Sequence, residues 1–139
     1  MTVRCGDTLL FQTLPVIAAG AAVGGKKESE GPLAAEFDEL SADNRFGQSS
    51  WEAAEKYLQL RAARLCLQKA VRILRANGKA DDTVCGLVRN IGREGQSARV
   101  LTLAELENTP VDMFTTVYIG NSNTRALSGR MVTPRGYRK

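Results

Sequence analysis

Between Ser49 and Gly78 polar and apolar residues recur at helical spacing, without an internal Pro or Gly. The stretch is read as one long helix of about 40 Å. Ser49 as N-cap with Glu52 three residues on predicts a reciprocal capping box. Gly78 is suited to a left-handed C-terminal cap. In the first half Glu52, Glu55, Lys56 and Gln59 define the polar face. In the second half that face is Arg61, Arg64, Gln68, Arg72 and Arg75, opposite Leu60, Ala63, Leu67, Ala70, Val71 and Leu74. The first stripe, continued from Gln59, reaches Ala63 rather than Arg64, so it slips. Either the helix bends or changes packing partner midway, or two unrelated pieces meet within it.

The flanks predict shorter elements. Leu9–Phe11 and a stretch around Val16–Ala18 read as strands, followed by a Gly-rich turn at Gly20–Lys27. Leu33–Leu40 reads as a short helix with Leu33, Phe37 and Leu40 on one face. After Gly78, Thr83–Val88 reads as a buried strand, Arg89–Gly95 as a Gly-rich loop and Ala98–Leu101 as a second strand. Thr102 and Glu105 predict another capping box, opening a short helix that Pro110 stops. Phe114–Ile119, rich in β-branched and aromatic residues, predicts a strand, and Arg130–Thr133 a final edge strand. The expected fold is α/β, a small mixed sheet in the C-terminal half packed on one long central helix, preceded by a short strand–loop–helix segment.

Composition narrows the chemistry. A hydrophobic fraction of 43% supports a core. The apolar stretch Thr8–Gly25 is broken by Gln12, Thr13 and Pro15, which disfavours both a leader peptide and a membrane span. With no histidine, a His-based dyad or triad is excluded. Three cysteines without CxxC spacing argue against a zinc site or disulfide framework and fit a reducing, cytoplasmic setting. The net charge of +4 with few aromatics gives no stacking platform, so a nucleic-acid partner is not expected and an anionic small molecule suits the charge. Gly20–Lys27 approaches the phosphate-loop pattern GxxxxGK[ST], but Lys27 replaces the hydroxyl and Glu28 and Glu30 follow. It is read as a surface loop.

Ala22-Val-Gly24, Gly31-Pro-Leu33, Phe37-Asp38, Trp51-Glu52 and Ala54-Glu55 carry a likeness over roughly the first 70 residues. This part resembles the N-terminal segment of the stage V sporulation protein AD family. The resemblance implies a thiolase-like fold and an association with dipicolinate uptake into spores. Gly25 stands where that family's pattern has Pro.

From about Lys69 onward the residues Leu87-Val-Arg-Asn90, Gly92-Arg-Glu-Gly95, Val111-Asp-Met113, Thr115-Thr-Val117, Ile119-Gly-Asn-Ser122 and Gly129–Tyr137 carry a second likeness. This half resembles the carboxyl end of the precorrin-3B C17-methyltransferase family, tetrapyrrole methylases of cobalamin synthesis. The resemblance implies S-adenosylmethionine as cofactor, an anionic tetrapyrrole as substrate, and a cofactor pocket lined by Arg89, Asn90, Ile91, Thr115 and Thr116. Ile91 stands where a small Ala is expected and would crowd the adenosine. The plain alternative for Thr115 and Thr116 is that they are ordinary strand residues.

A strand end followed by a Gly-rich loop is where an α/β sheet presents ligands, and Arg89–Gly95 and Gly120–Ser122 are two such places. Arg125, Arg130 and Arg135 suit macrocycle carboxylates, since guanidinium forks match them, or form a solvated basic tail. Residues 1–70 are thus expected to be an incomplete thiolase-like segment and 71–139 an incomplete methylase subdomain. The function expected is a partial methyltransferase-like protein, not catalytic alone. The alternative is a non-enzymatic binding or assembly fragment. A homo-oligomer, or a partner completing the half-domains, follows from either.

Overall fold

The computed structural model describes residues 2–6, 8–14 and 16–134. It is organised by one helix, α2 (Trp51–Ala76). Its N-cap is Ser50, one residue later than expected, and the Ser50 hydroxyl accepts from the Ala53 N–H at 3.2 Å. The shift moves Glu52 out of the third helical position, so the predicted Ser49–Glu52 box does not form. At the other end Gly78 takes φ +83°, Lys79 N–H donates to the Leu74 carbonyl and Gly78 N–H to that of Arg75. These two bonds are the paired signature of a Schellman cap, and they satisfy carbonyls the helix would otherwise leave bare.

The N-terminal segment is assembled from short pieces. Strands β1 (Thr2–Cys5) and β2 (Thr8–Phe11) pair antiparallel. The strand expected around Val16–Ala18 is irregular chain. Strand β3 (Val23–Gly24) leads into a one-turn helix α1 (Lys26–Ser29), then a 3-10 turn at Ala34–Glu36 and strand β4 (Glu39–Leu40), parallel to β3. The helix expected over Leu33–Leu40 is therefore confined to that turn. Asp38 explains the change, because its N–H donates to the Ala22 carbonyl while its carboxylate accepts from Ala22 N–H and Lys69. These tertiary bonds outbid local helix preference. Gly24 is required at the crossing, since a Cβ there would lie 2.9 Å from both Leu40 and Phe37 side chains.

The C-terminal half carries the core. Strands β5 (Val84–Arg89), β6 (Ser97–Thr102) and β7 (Thr115–Ile119) form a sheet in the order β6-β5-β7. Both pairings are antiparallel, where a mixed sheet was expected, and the parallel pairing lies instead at β3–β4. The short loop 90–96 returns β6 antiparallel beside β5. The longer connection through α3 carries the chain over to the other edge of β5, where β7 runs parallel to β6 and so antiparallel to β5. Helix α3 (Leu103–Leu106) opens with the predicted capping box between Thr102 and Glu105. Cys85, Leu87 and Leu101 on one sheet face pack with Val71 of α2 and with Leu103 and Leu106. Gly86 on the other face is covered by Met131 of a hairpin, β8 (Arg125–Leu127) and β9 (Arg130–Val132). Ser128 and Gly129 join these strands with φ of 48° and 73°, the primed turn suited to a two-residue hairpin.

The slipped polar stripe now has a physical cause. The N-terminal segment runs along one side of α2 from Tyr57, which packs on Phe46 with ring centroids 5.6 Å apart, past Arg61, which pairs with Glu39 at 2.6 Å, to Lys69, which pairs with Asp38. Along its second half Leu67, Val71 and Leu74 meet the sheet core. Two partners on different azimuths require two faces, so the outer stripe rotates where the sheet core joins the N-terminal segment against the helix.

Candidate functional site

The predicted cofactor residues gather at one end of the sheet, where β5 finishes and β7 begins. Arg89 is paired in register with Thr115, and Val88 with Thr116. Because strand side chains alternate, adjacent threonines face opposite sides of the sheet. Thr115 and Arg89 share the face that carries Cys85 and Leu87, whereas Thr116 lies on the other.

On the helix side the site is tied together by Asp112, which the sequence reading did not single out. Its carboxylate accepts from Arg89 Nη2 at 2.8 Å, from the Thr115 hydroxyl at 2.7 Å and from the Phe114 N–H at 3.0 Å. Asp112 N–H returns a bond to Thr115 Oγ1 at 3.3 Å. The local signal was present, an Asp three residues before a Thr at a strand start, a spacing that favours such reciprocal turn bonds. The Thr115 hydroxyl foremost, helped by the Phe114 N–H and Arg89, holds the Asp112 carboxyl below its usual range against an opposing cost of burial second only to the Thr115 bond. Arg89 and Asp112, with Met113, Phe114 and the Glu52–Ala63 face of α2, line a largely apolar groove of about 650 Å3.

On the far side Asn90, Ile91, Arg93, Phe114 and Thr116 line a hollow of about 190 Å3. Asn90 sits at φ +53°, its N–H donating to the Phe114 carbonyl, which turns the chain sharply out of β5. Arg93 lies over the Phe114 ring at 5.3 Å, and Ile91 is half exposed at the rim. The structure thus lines one recess with Arg89, Thr115 being bonded to Asp112 in its wall, and another with Asn90, Ile91 and Thr116, with Phe114 lining both.

The arginines assigned to substrate lie elsewhere. Arg125 and Arg130 occupy one face of the β8–β9 hairpin at opposite ends of it, in register with Val132 and Leu127. Arg135 lies outside the described residues. The near-phosphate-loop is closed by its own chain, since the Gly25 N–H donates to the Glu28 carboxylate at 2.9 Å. Cys85 is fully buried, and burial pushes its thiol up, away from the thiolate that reactive cysteines need. Among the described residues no helix is long and apolar enough to cross a membrane.

The acid limb of stability tests the Asp112 junction. A carboxyl whose folded value is depressed adds stability that is complete above the ordinary Asp value of 3.8 and drains as pH falls through the folded value. Between pH about 5 and about 2, Asp112→Asn is therefore expected to lose less stability than the parent chain. Urea unfolding across that window measures the difference; equal losses would mean the junction contributes nothing.

Comparison with known proteins adds two kinships. Half of the chain, 70 residues, is 43% identical to the cobalamin biosynthesis protein CbiHC of Archaeoglobus fulgidus, covering 15% of that protein. A probable cobalt-factor III C(17)-methyltransferase of Methanocaldococcus jannaschii is 36% identical over 75 residues, 50% of this chain and 30% of that one. Its counterpart in Salmonella typhimurium is 38% identical over 71 residues, 51% of this chain and 29% of that one. The chain thus spans less than a third of the length of each of these relatives. The crystal structure of the methyltransferase CobJ superposes with a TM-score of 0.40 at 17% identity, covering 84% of this chain and 47% of that one. The sequence profile of the stage V sporulation protein AD family matches residues 5–78, from the first strand to the glycine that caps the long helix. The chain belongs to the stage V sporulation protein AD family.

Proposed function

We propose that residues from about 71 onward form a cofactor-side portion of a cobalamin-pathway methyltransferase, joined within α2 to the thiolase-like start of a sporulation protein. The observation that carries this reading is the 43% identity over 70 residues to a cobalamin biosynthesis protein. The site's chemistry is compatible with it. Arg89 and Asp112 offer charged and hydrogen-bonding groups beside an apolar groove, and Phe114 with Met113 offers surface for an adenine ring. In this reading S-adenosylmethionine supplies the electrophilic methyl group. Of the five residues expected at the cofactor, Arg89 lines the groove that would take its adenosine portion, with Thr115 bonded to Asp112 beside it, whereas Asn90, Ile91 and Thr116 lie across Phe114 and would meet it only at the rim. Arg125, Arg130 and Arg135 meet carboxylates of a tetrapyrrole.

Methyl transfer requires donor and acceptor to be held in near-attack geometry from both sides. The matched residues correspond to less than a third of the relatives' length, and by themselves they present one wall of such a cleft. A homo-oligomer or a partner chain in the cytoplasm would supply the opposite wall. Thermal unfolding with and without S-adenosylmethionine tests this. A ligand that binds only the folded state raises the midpoint, and at a hundredfold excess over Kd the gain is about 2.7 kcal/mol. An unmoved midpoint at saturating cofactor would overturn the methyltransferase reading. The alternative then leads, a non-enzymatic binding or assembly fragment, supported by the family match over residues 5–78.

A further inference from the structure

The end of the sheet away from Arg89 holds a second, more polar groove of about 740 Å3. The C-terminal turn of α2, the start of β5 and the turn before β8 form its walls. Two cations line it. The half-buried Lys79 ammonium donates to the Gly120 carbonyl at 2.7 Å. Arg125 Nη1 donates to the carbonyls of Ser122 at 2.7 Å and Thr124 at 2.9 Å.

Neither cation has a carboxylate partner among the described residues, unlike Arg61, Lys69 and Arg89, which each have one, and Arg75, which has two. The carbonyl bonds therefore fix both heads without neutralising them. Lys79 keeps two N–H donors, and Arg125 keeps Nε and Nη2. Asp82 is the sole carboxylate in the lining, so the groove carries net positive charge. Asn77, Asn121 and Ser122 add uncharged polar groups around it.

We propose that this groove binds the oxyanion groups, carboxylate or phosphate, of a small polyanion. The proposal deepens the reading of Arg125 as a contact for an anionic ligand, and none of the cofactor residues enters it. Two cations held by neutral acceptors are preorganised for such a ligand, because their geometry is fixed before binding and their charge is unspent.

Titration of the isotope-labelled chain with citrate and, separately, inorganic pyrophosphate, followed by amide chemical shifts, provides the test. Shifts are expected to concentrate on residues 79–84 and 121–125. Lys79→Gln and Arg125→Gln are each expected to weaken binding about tenfold, the scale of one charge-assisted hydrogen bond. Lys79→Arg should keep most of the affinity, and Arg64→Gln, on the outer face of α2, all of it. Binding of citrate alone would identify carboxylate as the recognised group, and of pyrophosphate alone, phosphate. Failure of both, or shifts spread over every basic residue and indifferent to Lys79→Gln, would overturn the proposal. If Arg125→Gln fails to fold, judged from its own spectrum, the Lys79 pair of variants decides. The cofactor melt reports independently, so the two readings fail separately.

Discussion

Leu103→Ala is expected to cost about 3 kcal/mol, among the largest losses available by truncating an apolar side chain here. The Leu103 side chain is wholly buried among Val71, Cys85, Leu101 and Leu106. Its N–H also donates to the Thr83 carbonyl at 2.9 Å, so the backbone cannot slide in to fill the vacated space. The loss therefore combines the transfer free energy of the removed carbons with an unfilled cavity. Against a total stability of about 5–15 kcal/mol, that is a large share. Leu127, 55% exposed in the hairpin, supplies the contrast, and its truncation should change stability by no more than about 0.5 kcal/mol. Urea unfolding followed by circular dichroism measures both. Equal effects would mean that the described core is not the one that holds the sheet.

Gly120→Ala should cost about 2 kcal/mol for the opposite reason, because there is no room. A Cβ at this position would run into the Val84 carbonyl oxygen and stand 2.9 Å from Cβ of Thr124. Gly120 N–H already donates to that same carbonyl at 2.9 Å, so the backbones approach too closely for any side chain. Relief requires the end of β7 to lift from the start of β5. The lift would also displace the Gly120 carbonyl that holds Lys79, so stability and the anion groove should suffer together. Amide exchange distinguishes this local event from general weakening, since protection at Gly120 should fall by more than the global loss. An alanine variant as stable as the parent would place the Gly120 backbone elsewhere.

Much of this architecture was legible in the chain wherever the determinant is local. Thr102 and Glu105 form their box because both partners lie within one turn, and Gly78 ends α2 because few other residues tolerate its φ. Phe114–Ile119 reads as a strand from composition alone, and β7 follows it with a one-residue shift. Nonlocal determinants were not legible. Phe37 and Asp38 look helical until Ala22 and Lys69 claim Asp38. Strand β8 is three residues long, too short for a periodic signal, and exists because the Ser128–Gly129 turn folds it onto β9. At the candidate site the sequence supplied Arg89 and Thr115 but not Asp112, whose importance comes from closing a triangle across two elements. It also grouped Thr115 with Thr116, which strand alternation sends to opposite faces.

One helix serving two partners has a consequence for the order of assembly. Starting a helix is unfavourable, whereas lengthening one already started is nearly free. The second half of α2, packed on the sheet core, is where that initial barrier is most readily overcome, because burial of Leu67, Val71 and Leu74 offsets it. Growth toward Ser50 then proceeds along a template already laid down. The N-terminal segment, held by Lys69–Asp38 on the packed half and by Arg61–Glu39 beyond it, docks onto a surface it did not have to nucleate. The three-stranded sheet is in this sense the folding scaffold for the segment that precedes α2.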